Sequence, residues 1–330
     1  MSFFAILVAL LLEQARPLSS ANPIHGGLRA WALSASRNFD AGRIHHGWVA
    51  WCVAVLVPTA VVFGIHALLL WGVGWPFALL WNVAVLYLTL GFRQFSHHFT
   101  DIRDALLDGD EMRARELLAQ WQQVDASELP RSEVVRHVIE YSMLAAHRHV
   151  FGVLACFSIL AACGMGPAGA VLYRLAEFAA RYWSARNQRV RAGSQTASPA
   201  LQRTAALCWT VIDWLPARMT ALSLAVVGNF EEAIEGWRYH AQRFPNDNDG
   251  VILAATAGAI DVRLGGSALR ASGESVFPDA GPVDDSADSP STPGRAPESA
   301  HLAQVVGLVW RSVVVWVGLL ALLSFARLLG

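Results

Sequence analysis

Lysine is absent from this sequence of 330 residues, and all 25 of its basic residues are arginine. The chain therefore has no lysine to form a Schiff base, to act as a general base or to hold nucleotide phosphates in a Walker-type loop. Charge is scarce as well, because 15% of the residues are charged, against roughly 25% in an average soluble domain. So little charge cannot cover the surface of a water-soluble protein.

Cysteine and the common binding motifs are also scarce. The four cysteines lie in apolar stretches without a Cys-x-x-Cys pair, which is typical of small core residues and not of disulfides or zinc ligands. No dinucleotide fingerprint, P-loop, Gly-x-Ser-x-Gly or EF-hand motif occurs. The net charge of −1 gives no electrostatic basis for binding nucleic acid, so no such partner is expected.

Apolar residues are what the sequence has in excess. They make up 54% of the chain, with 13 tryptophans, and the mean hydropathy is +0.38. Because helices satisfy their own backbone hydrogen bonds in lipid, we predict an all-α, polytopic helical membrane protein whose partner is the lipid bilayer. It should have about five hydrophobic segments, one of them broken or re-entrant, together with a polar helical hairpin.

The N-terminal region contains the first predicted membrane helices. Residues 47–72 exceed the roughly 20 helical residues that a bilayer core requires, and residues 74–92 follow after a short turn. These two runs predict a membrane hairpin. The shorter apolar run at 2–12 predicts a buried or re-entrant first helix.

A polar stretch, "HHFTDIRDALLDGDEMRARELLAQW" (97–121), follows with helical periodicity. Gly109 interrupts the pattern, and Asp110 is placed to cap the second helix. Beyond it, the glycines and proline at 164–169 interrupt the apolar run 150–183, which predicts two half-helices or a kinked span. Arginine-rich segments at 13–47, 93–148 and 173–204 favour the cytoplasmic side of the membrane.

Asp213, Pro216 and Arg218 lie inside the apolar segment 205–228. Proline fits the first turn of a helix better than its interior, so we predict that one helix ends near Trp214 and another begins at Pro216. Asp213 and Arg218 would then face each other across the break. Because charges in hydrocarbon are costly, the two residues form either a structural ion pair or part of a functional site.

Residues rich in Ser, Pro, Gly and Asp from about 265 to 300 predict a disordered acidic linker. A last apolar run, 305–326, predicts a final span. The chain then divides into N-terminal membrane helices (1–92), a cytoplasmic helical hairpin (93–149), a broken membrane segment with an Arg-rich loop and a kinked membrane helix (150–228), amphipathic soluble helices (229–264), the disordered acidic linker (265–304) and a C-terminal transmembrane helix (305–330).

Histidine and arginine near the predicted membrane surface leave two interpretations open. With nearby carboxylates the histidines either bind a metal ion or line a polar cleft. The arginines either contact phosphate or carboxylate groups or follow the positive-inside rule. The histidines are His97, His98, His137, His147 and His149, and the arginines are Arg136, Arg148 and Arg174.

Four stretches together resemble the cobinamide-phosphate synthase family of cobalamin biosynthesis (CobD/CbiB). They are "GPAGAVLYR" (166–174), "LPARMTALSLA" (215–225), "NDNDGVILAATAGAIDVRLGG" (246–266) and the polar hairpin at 97–121. The resemblance implies a multi-span protein of the bacterial inner (cytoplasmic) membrane. Such a protein joins the carboxylate of adenosylcobyric acid, a corrinoid, to an aminopropanol or its phosphate, using ATP and Mg²⁺.

The same resemblance implies functional residues at the matching positions. It implies acids for catalysis at Asp104, Asp110 and Glu140, and arginines that bind substrate or phosphate at Arg174, Arg218 and Arg263. The metal ligands are not identified by the matching positions.

A second hypothesis is a non-catalytic membrane sensor or scaffold on the same fold, related to the β-lactamase-induction protein AmpE. Where the ligase family carries polar runs, this chain has "LAAHRHVF" (144–151) and "LAEFAARYW" (175–183). These replacements favour the sensor, whereas the retained glycine-containing motifs favour the enzyme.

Overall fold

The computed structural model describes residues 2–15, 23–122, 125–184, 197–267, 269 and 289–329. Among these residues no β-sheet forms, and only isolated bridges are present, so the predicted all-α class is confirmed. In chain order the helices are α1 (Ser2–Ala15), α2 (Pro23–Phe39), α3 (Ile44–Gly72), α4 (Trp75–Thr89), α5 (Phe92–Leu107), α6 (Glu111–Gln122), α7 (Arg131–Ala162), α8 (Ala168–Tyr182), α9 (Pro199–Val227), α10 (Phe230–His240), α11 (Asp247–Ile260) and α12 (Ser299–Leu329).

In the part of the chain that the structure describes, 4 helices are long and apolar enough to cross a membrane: α3, α7, α9 and α12. This confirms the polytopic membrane class, and the predicted spans at 47–72 and 305–326 lie within helices of sufficient length and hydropathy, α3 and α12. Helices α1 and α4 are apolar but shorter. The predicted span at 74–92 was too long, because α4 has 15 helical residues.

Helix α7 corrects one predicted boundary. It begins at Arg131 in the polar region and continues through a π-helical segment, His147–Phe151, to Ala162 in the apolar region. The boundary predicted between residues 149 and 150 therefore lies inside a continuous helix. Hydropathy changes there, but nothing in the residues interrupts the backbone hydrogen bonds, since a π-helical turn keeps the helix going.

The two glycine breaks are confirmed. Gly109, with φ +80°, lies between α5 and α6. The break in the run 150–183 separates α7 from α8, with Gly164 and Gly166 both at positive φ. Such backbone angles are strained for residues with a Cβ atom, so glycine supports a turn at each place.

The predicted helix break at Pro216 is wrong. Helix α9 runs without interruption from Pro199 to Val227 and contains Pro216 in its interior. Proline removes one backbone donor and usually bends or breaks a helix, but apolar helices that pack against neighbouring helices tolerate it. Pro216 is buried, so packing around this turn outweighs the local preference.

The chain forms two compact units. The first comprises residues 1–94, 148–216 and 319–330. Its packing includes the pair formed by α8 and the C-terminal half of α7, which approach closely at two glycines. A Cβ on Gly152 would lie 2.1 Å from the ring of Tyr173, and one on Gly169 would lie 2.1 Å from the carbonyl oxygen of Cys156.

The second unit comprises residues 95–147 and 217–318. Here α10 and α11 pack closely, because Gly258 lies against the carbonyl oxygen of Glu232 and Gly236 against that of Ala254. Helix α11 is buried around nearly its whole circumference. The prediction of amphipathic helices over 229–264 therefore describes α10 and is wrong for α11.

The predicted linker is partly ordered. Residues 289–298 pack against the loop after α11, with Thr292 buried and hydrogen-bonded to Leu264. Composition alone does not reveal this order, because backbone groups make most of the contacts. Residues 270–288 of the linker, and residues 185–196 of the predicted Arg-rich loop, lie outside the described residues.

Candidate functional site

A cluster of charged residues on α7 joins a loop that is distant in sequence. We call Glu133, Arg136, His137 and Glu140 the Arg136 cluster. Positions three and four apart lie on one face of a helix, so Glu133 and Glu140 flank Arg136. Only 3% of Arg136 is exposed, and a buried guanidinium requires partners for its donors.

Arg136 has partners on both sides. Its Nε and Nη2 atoms donate to Oε2 of Glu133 at 2.9 and 2.6 Å. Its Nη1 atom donates to both carboxylate oxygens of Glu140 at 3.0 Å. Nη2 also lies 2.9 Å from Nε2 of His137. These short contacts between charged groups are among the stronger hydrogen bonds in proteins.

The glycine loop, residues 263–267, closes the cluster. Nη2 of Arg136 donates to the carbonyl oxygen of Ser267 at 2.8 Å, and the Gly265 N–H donates to Oε1 of Glu140 at 2.7 Å. Gly265 has φ +81°, which a residue with a Cβ atom adopts only with strain. Arg136 and Glu140 on α7 therefore hold the glycine loop, although Gly265 and Glu140 are 125 residues apart in the sequence.

The ordered end of the linker holds the glycine loop from its other side. The Leu264 N–H donates to Oγ1 of Thr292 at 2.9 Å, and the Thr292 N–H donates to the Leu264 carbonyl at 2.7 Å. The Arg263 N–H donates to the Arg295 carbonyl at 2.8 Å. The loop is thus fixed between α7 and residues 289–298.

The two other predicted catalytic acids have different surroundings from Glu140. Asp104 is exposed and accepts hydrogen bonds from its neighbour Arg103 at 2.8 and 2.9 Å. Asp110 is exposed and accepts from the Arg113 N–H at 2.9 Å. Asp110 therefore caps α6, as the sequence predicts.

The three predicted substrate-binding arginines lie on separate elements. Arg174 on α8 donates to Glu177 at 2.9 Å. Arg218 on α9 donates to Oδ1 of Asn248, at the start of α11, at 3.0 Å. Arg263 lies in the glycine loop and is exposed.

The ion pair predicted between Asp213 and Arg218 depends on a helix break at Pro216, and the structure shows no such break. On the continuous helix α9, residues five apart point about 140° away from each other. Asp213 is fully buried and accepts from the hydroxyl of Tyr173 at 2.8 Å. The pairing stays a prediction, without the helix break that would have brought the two charges together.

Metal binding has no support from the predicted acids. Among the described residues, no group of three or more His, Cys, Asp or Glu side chains could hold a metal ion. Both carboxylate oxygens of Glu140 already accept from Arg136. A Mg²⁺ ion would compete with the guanidinium for the oxygen atoms of Glu140, so Glu140 is a poor fit for a magnesium site.

The role of Arg136 was not apparent from the sequence, which predicts it only as an arginine near the membrane. The spacing of Glu133, Arg136 and Glu140 does predict local ion pairs on a helix. The contacts with Ser267 and Gly265 have no counterpart in the local sequence. Only the fold shows that this cluster binds a loop.

Comparisons with known proteins give one family. The model of the family described as "CobD/Cbib protein" matches residues 3–292. A protein named "Cobalamin biosynthesis protein CobD" from Stutzerimonas stutzeri is 31% identical over 318 residues, 95% of each chain. A protein with the same name from Chromobacterium violaceum is 35% identical over 186 residues, 56% of this chain and 55% of that protein. No solved structure matches.

Proposed function

This chain belongs to the CobD/CbiB protein family, and from that premise we propose that it is a membrane protein of cobalamin biosynthesis. The observation that carries the proposal is the match of the family model over residues 3–292. The named relative from Stutzerimonas stutzeri, aligned over 95% of each chain, supports it. The helices long enough to cross a bilayer agree with a membrane location, which we propose to be the bacterial inner membrane.

The proposed reaction is ATP-dependent amide formation. The carboxylate of a corrinoid, adenosylcobyric acid, is joined to the amine of an aminopropanol or its phosphate. The corrinoid carboxylate, the nucleotide and the phosphate form of the aminopropanol bear anionic groups, and guanidinium groups bind carboxylate and phosphate with two parallel hydrogen bonds. Arg174, Arg218 and Arg263 are the proposed contacts for these anions.

The proposal assigns no residue of this chain to Mg²⁺. Asp104 is beside Arg103 and Asp110 caps a helix, while Glu140 is occupied by Arg136. The metal ion is proposed to enter with the nucleotide. Asp104 and Asp110 remain predicted catalytic acids, and Glu140 is treated separately below.

A ligation assay on purified membranes tests the proposal. Membranes containing this protein receive adenosylcobyric acid, Mg-ATP and aminopropanol with or without its phosphate, and the amide product is sought by mass spectrometry. We expect product that requires the protein, ATP and one of the two amines. An active enzyme of the family serves as the positive control, and membranes without this protein serve as the blank.

Absence of product beside an active control would overturn the ligase function while leaving family membership intact. The sensor or scaffold hypothesis would then be preferred, because a sensor or scaffold on the same fold requires no catalytic residues. The family and the relatives named above lend that hypothesis no support of their own.

A further inference from the structure

The carboxylate of Glu140 is occupied by groups that do not react. Its Oε1 atom accepts from Arg136 and from the Gly265 N–H. Its Oε2 atom accepts from Arg136 and lies 3.6 Å from Nδ1 of His137. A general base or a metal ligand needs a lone pair directed at its target, and here those directions point to the helix and to the glycine loop.

Buried and exposed residues alternate around Arg263, the first residue of the glycine loop. Val262 and Leu264 are both fully buried, whereas Arg263 between them is exposed. In an extended chain, successive side chains point to opposite sides, so anchoring the two neighbours directs Arg263 outward. Among the described residues, no carboxylate forms an ion pair with Arg263, whereas the neighbouring Arg295 pairs with Asp261 at 2.8 Å.

We infer that Arg136 and Glu140 are positioning residues, which fix the glycine loop so that Arg263 contacts an anionic phosphate or carboxylate group of the substrate. The inference rests on the proposed function for the nature of that anion. The contacts of Arg136 and Glu140 with the loop are independent of it. An arginine on a fixed backbone loses less conformational freedom on binding than one on a mobile loop. The contacts of Arg136 and Glu140 with the loop backbone, which we call the clamp, therefore strengthen anion binding by Arg263.

Amide hydrogen exchange of the full-length protein in detergent tests the clamp. The variants Arg136→Lys and Glu140→Gln keep side chains of similar size but weaken the contacts with the loop. Peptides covering 261–267 should exchange about tenfold faster, which corresponds to the loss of one charge-assisted hydrogen bond. Glu133→Gln is the matched control, because Glu133 contacts Arg136 but not the loop, and its loop peptides should exchange as in the wild type.

A second variant keeps the test valid if Arg136→Lys or Glu140→Gln fails to fold. Thr292→Val preserves the shape of the side chain but removes its hydrogen bond to the Leu264 N–H. Because it frees the same loop at a different contact, peptides covering 261–267 should exchange faster and Arg263 should lose its protection by pyrophosphate. Faster exchange with full protection of Arg263 would overturn the inference that a fixed loop is needed for anion binding. Unchanged exchange of α11 peptides shows that each variant is folded. Wild-type exchange at 261–267 in the folded Arg136 and Glu140 variants would overturn the clamp.

Chemical modification tests the role of Arg263 without requiring turnover. Phenylglyoxal modifies exposed arginines, and mass spectrometry reports each site. Pyrophosphate, used as the anionic probe, should slow modification of Arg263 in the wild type and in Glu133→Gln. The protection should be lost in Arg136→Lys and Glu140→Gln, although Arg263 itself is unchanged. Arg295, which is ion-paired, is the internal reference.

Two results would overturn the role of Arg263. One is modification of Arg263 at the same rate with and without pyrophosphate in the wild type. The other is protection that persists in the folded Arg136→Lys and Glu140→Gln variants, because a purely structural clamp would leave anion binding unchanged. Neither measurement depends on ligation, so a negative ligation assay overturns the proposed function alone.

Discussion

Glu140 in the second unit and Glu177 in the first unit look alike in sequence but have different roles in the fold. Each is a largely buried glutamate on a helix, with 13% and 7% of its side chain exposed. Glu177 pairs with Arg174 and Arg181, which are three and four residues away on the same helix. Glu140 pairs with Arg136 and also accepts from Gly265, 125 residues away.

The difference shows that the same local spacing supports two kinds of structure. The Glu177 triad needs only the helix that carries it, because Arg174 and Arg181 each lie about one turn from Glu177 on the same helix. The Glu140 contacts need α7, the glycine loop and residues 289–298 together. Removing a partner should therefore affect one helix face in the first unit and several elements in the second.

The largest predicted effect separates these two glutamates directly. Arg136→Met should lower the free energy of unfolding by about 3–5 kcal/mol, because it leaves the largely buried carboxylate of Glu140 without its arginine. Arg181→Met should lower it by about 1 kcal/mol, because Glu177 retains Arg174. Denaturant unfolding in detergent, followed by circular dichroism, measures both. Equal losses would contradict the distinction between the two units.

The next prediction concerns close contacts between helices at a glycine, which occur within each unit separately. Gly258→Ala in the second unit and Gly169→Ala in the first should each cost about 3 kcal/mol. In both, the new Cβ would come within 2.1 Å of a backbone atom on the neighbouring helix. Gly64→Ala is the matched control, with nothing within 4 Å, and should be neutral or slightly stabilising. Thermal unfolding of the three variants provides the comparison, and a control as unstable as the others would refute it.

A smaller predicted difference concerns single hydrogen bonds. Tyr173→Phe removes the donor to the fully buried Asp213 in the first unit and should cost about 2 kcal/mol, because a buried acceptor loses a hydrogen bond that water cannot replace. Thr220→Val removes a contact with His147 in the second unit and should cost about 1 kcal/mol. Unfolding midpoints that rank the two variants in the opposite order would contradict the larger cost expected at the buried Asp213.

The smallest predicted effect is on the surface of the second unit. Asp110→Ala removes the cap of α6 and should cost about 1 kcal/mol. Asp104→Ala breaks only an exposed pair with Arg103, and its stability should not change measurably. If Asp104 or Asp110 is catalytic as the resemblance implies, the ligation rate should fall by more than either loss of stability explains. The assay and the melting curves together separate these roles.

The elements that could be predicted from the sequence are those whose cause is local. Hydropathy and length predict the spans around 47–72 and 305–326, and glycine predicts the turns at Gly109 and Gly164. The break that the sequence predicts at Pro216 does not form, because packing along α9 overcomes the preference of proline for a helix start. Residues 289–298 were read as linker because composition does not show backbone hydrogen bonds to Leu264.

The candidate site was predicted less completely than the fold. Glu140 and Arg263 follow from the family resemblance, and the spacing of Glu133, Arg136 and Glu140 was visible on the helix. Neither observation predicts that the helix contacts the loop that carries Arg263. The hydrogen bonds from Gly265 to Glu140 and from Arg136 to Ser267 connect distant parts of the chain. No short-range pattern contains that connection.

The sequence by itself determined that this is a helical membrane protein of the CobD/CbiB family. Hydropathy, helical period and family motifs are properties of residues that are close in sequence, so they can be recognised without knowledge of the fold. Only the tertiary structure decided that Glu140 is held by Arg136 and turned toward a glycine loop, while Glu177 remains within its own helix. The direction in which a buried carboxylate accepts hydrogen bonds depends on which distant backbone lies beside it.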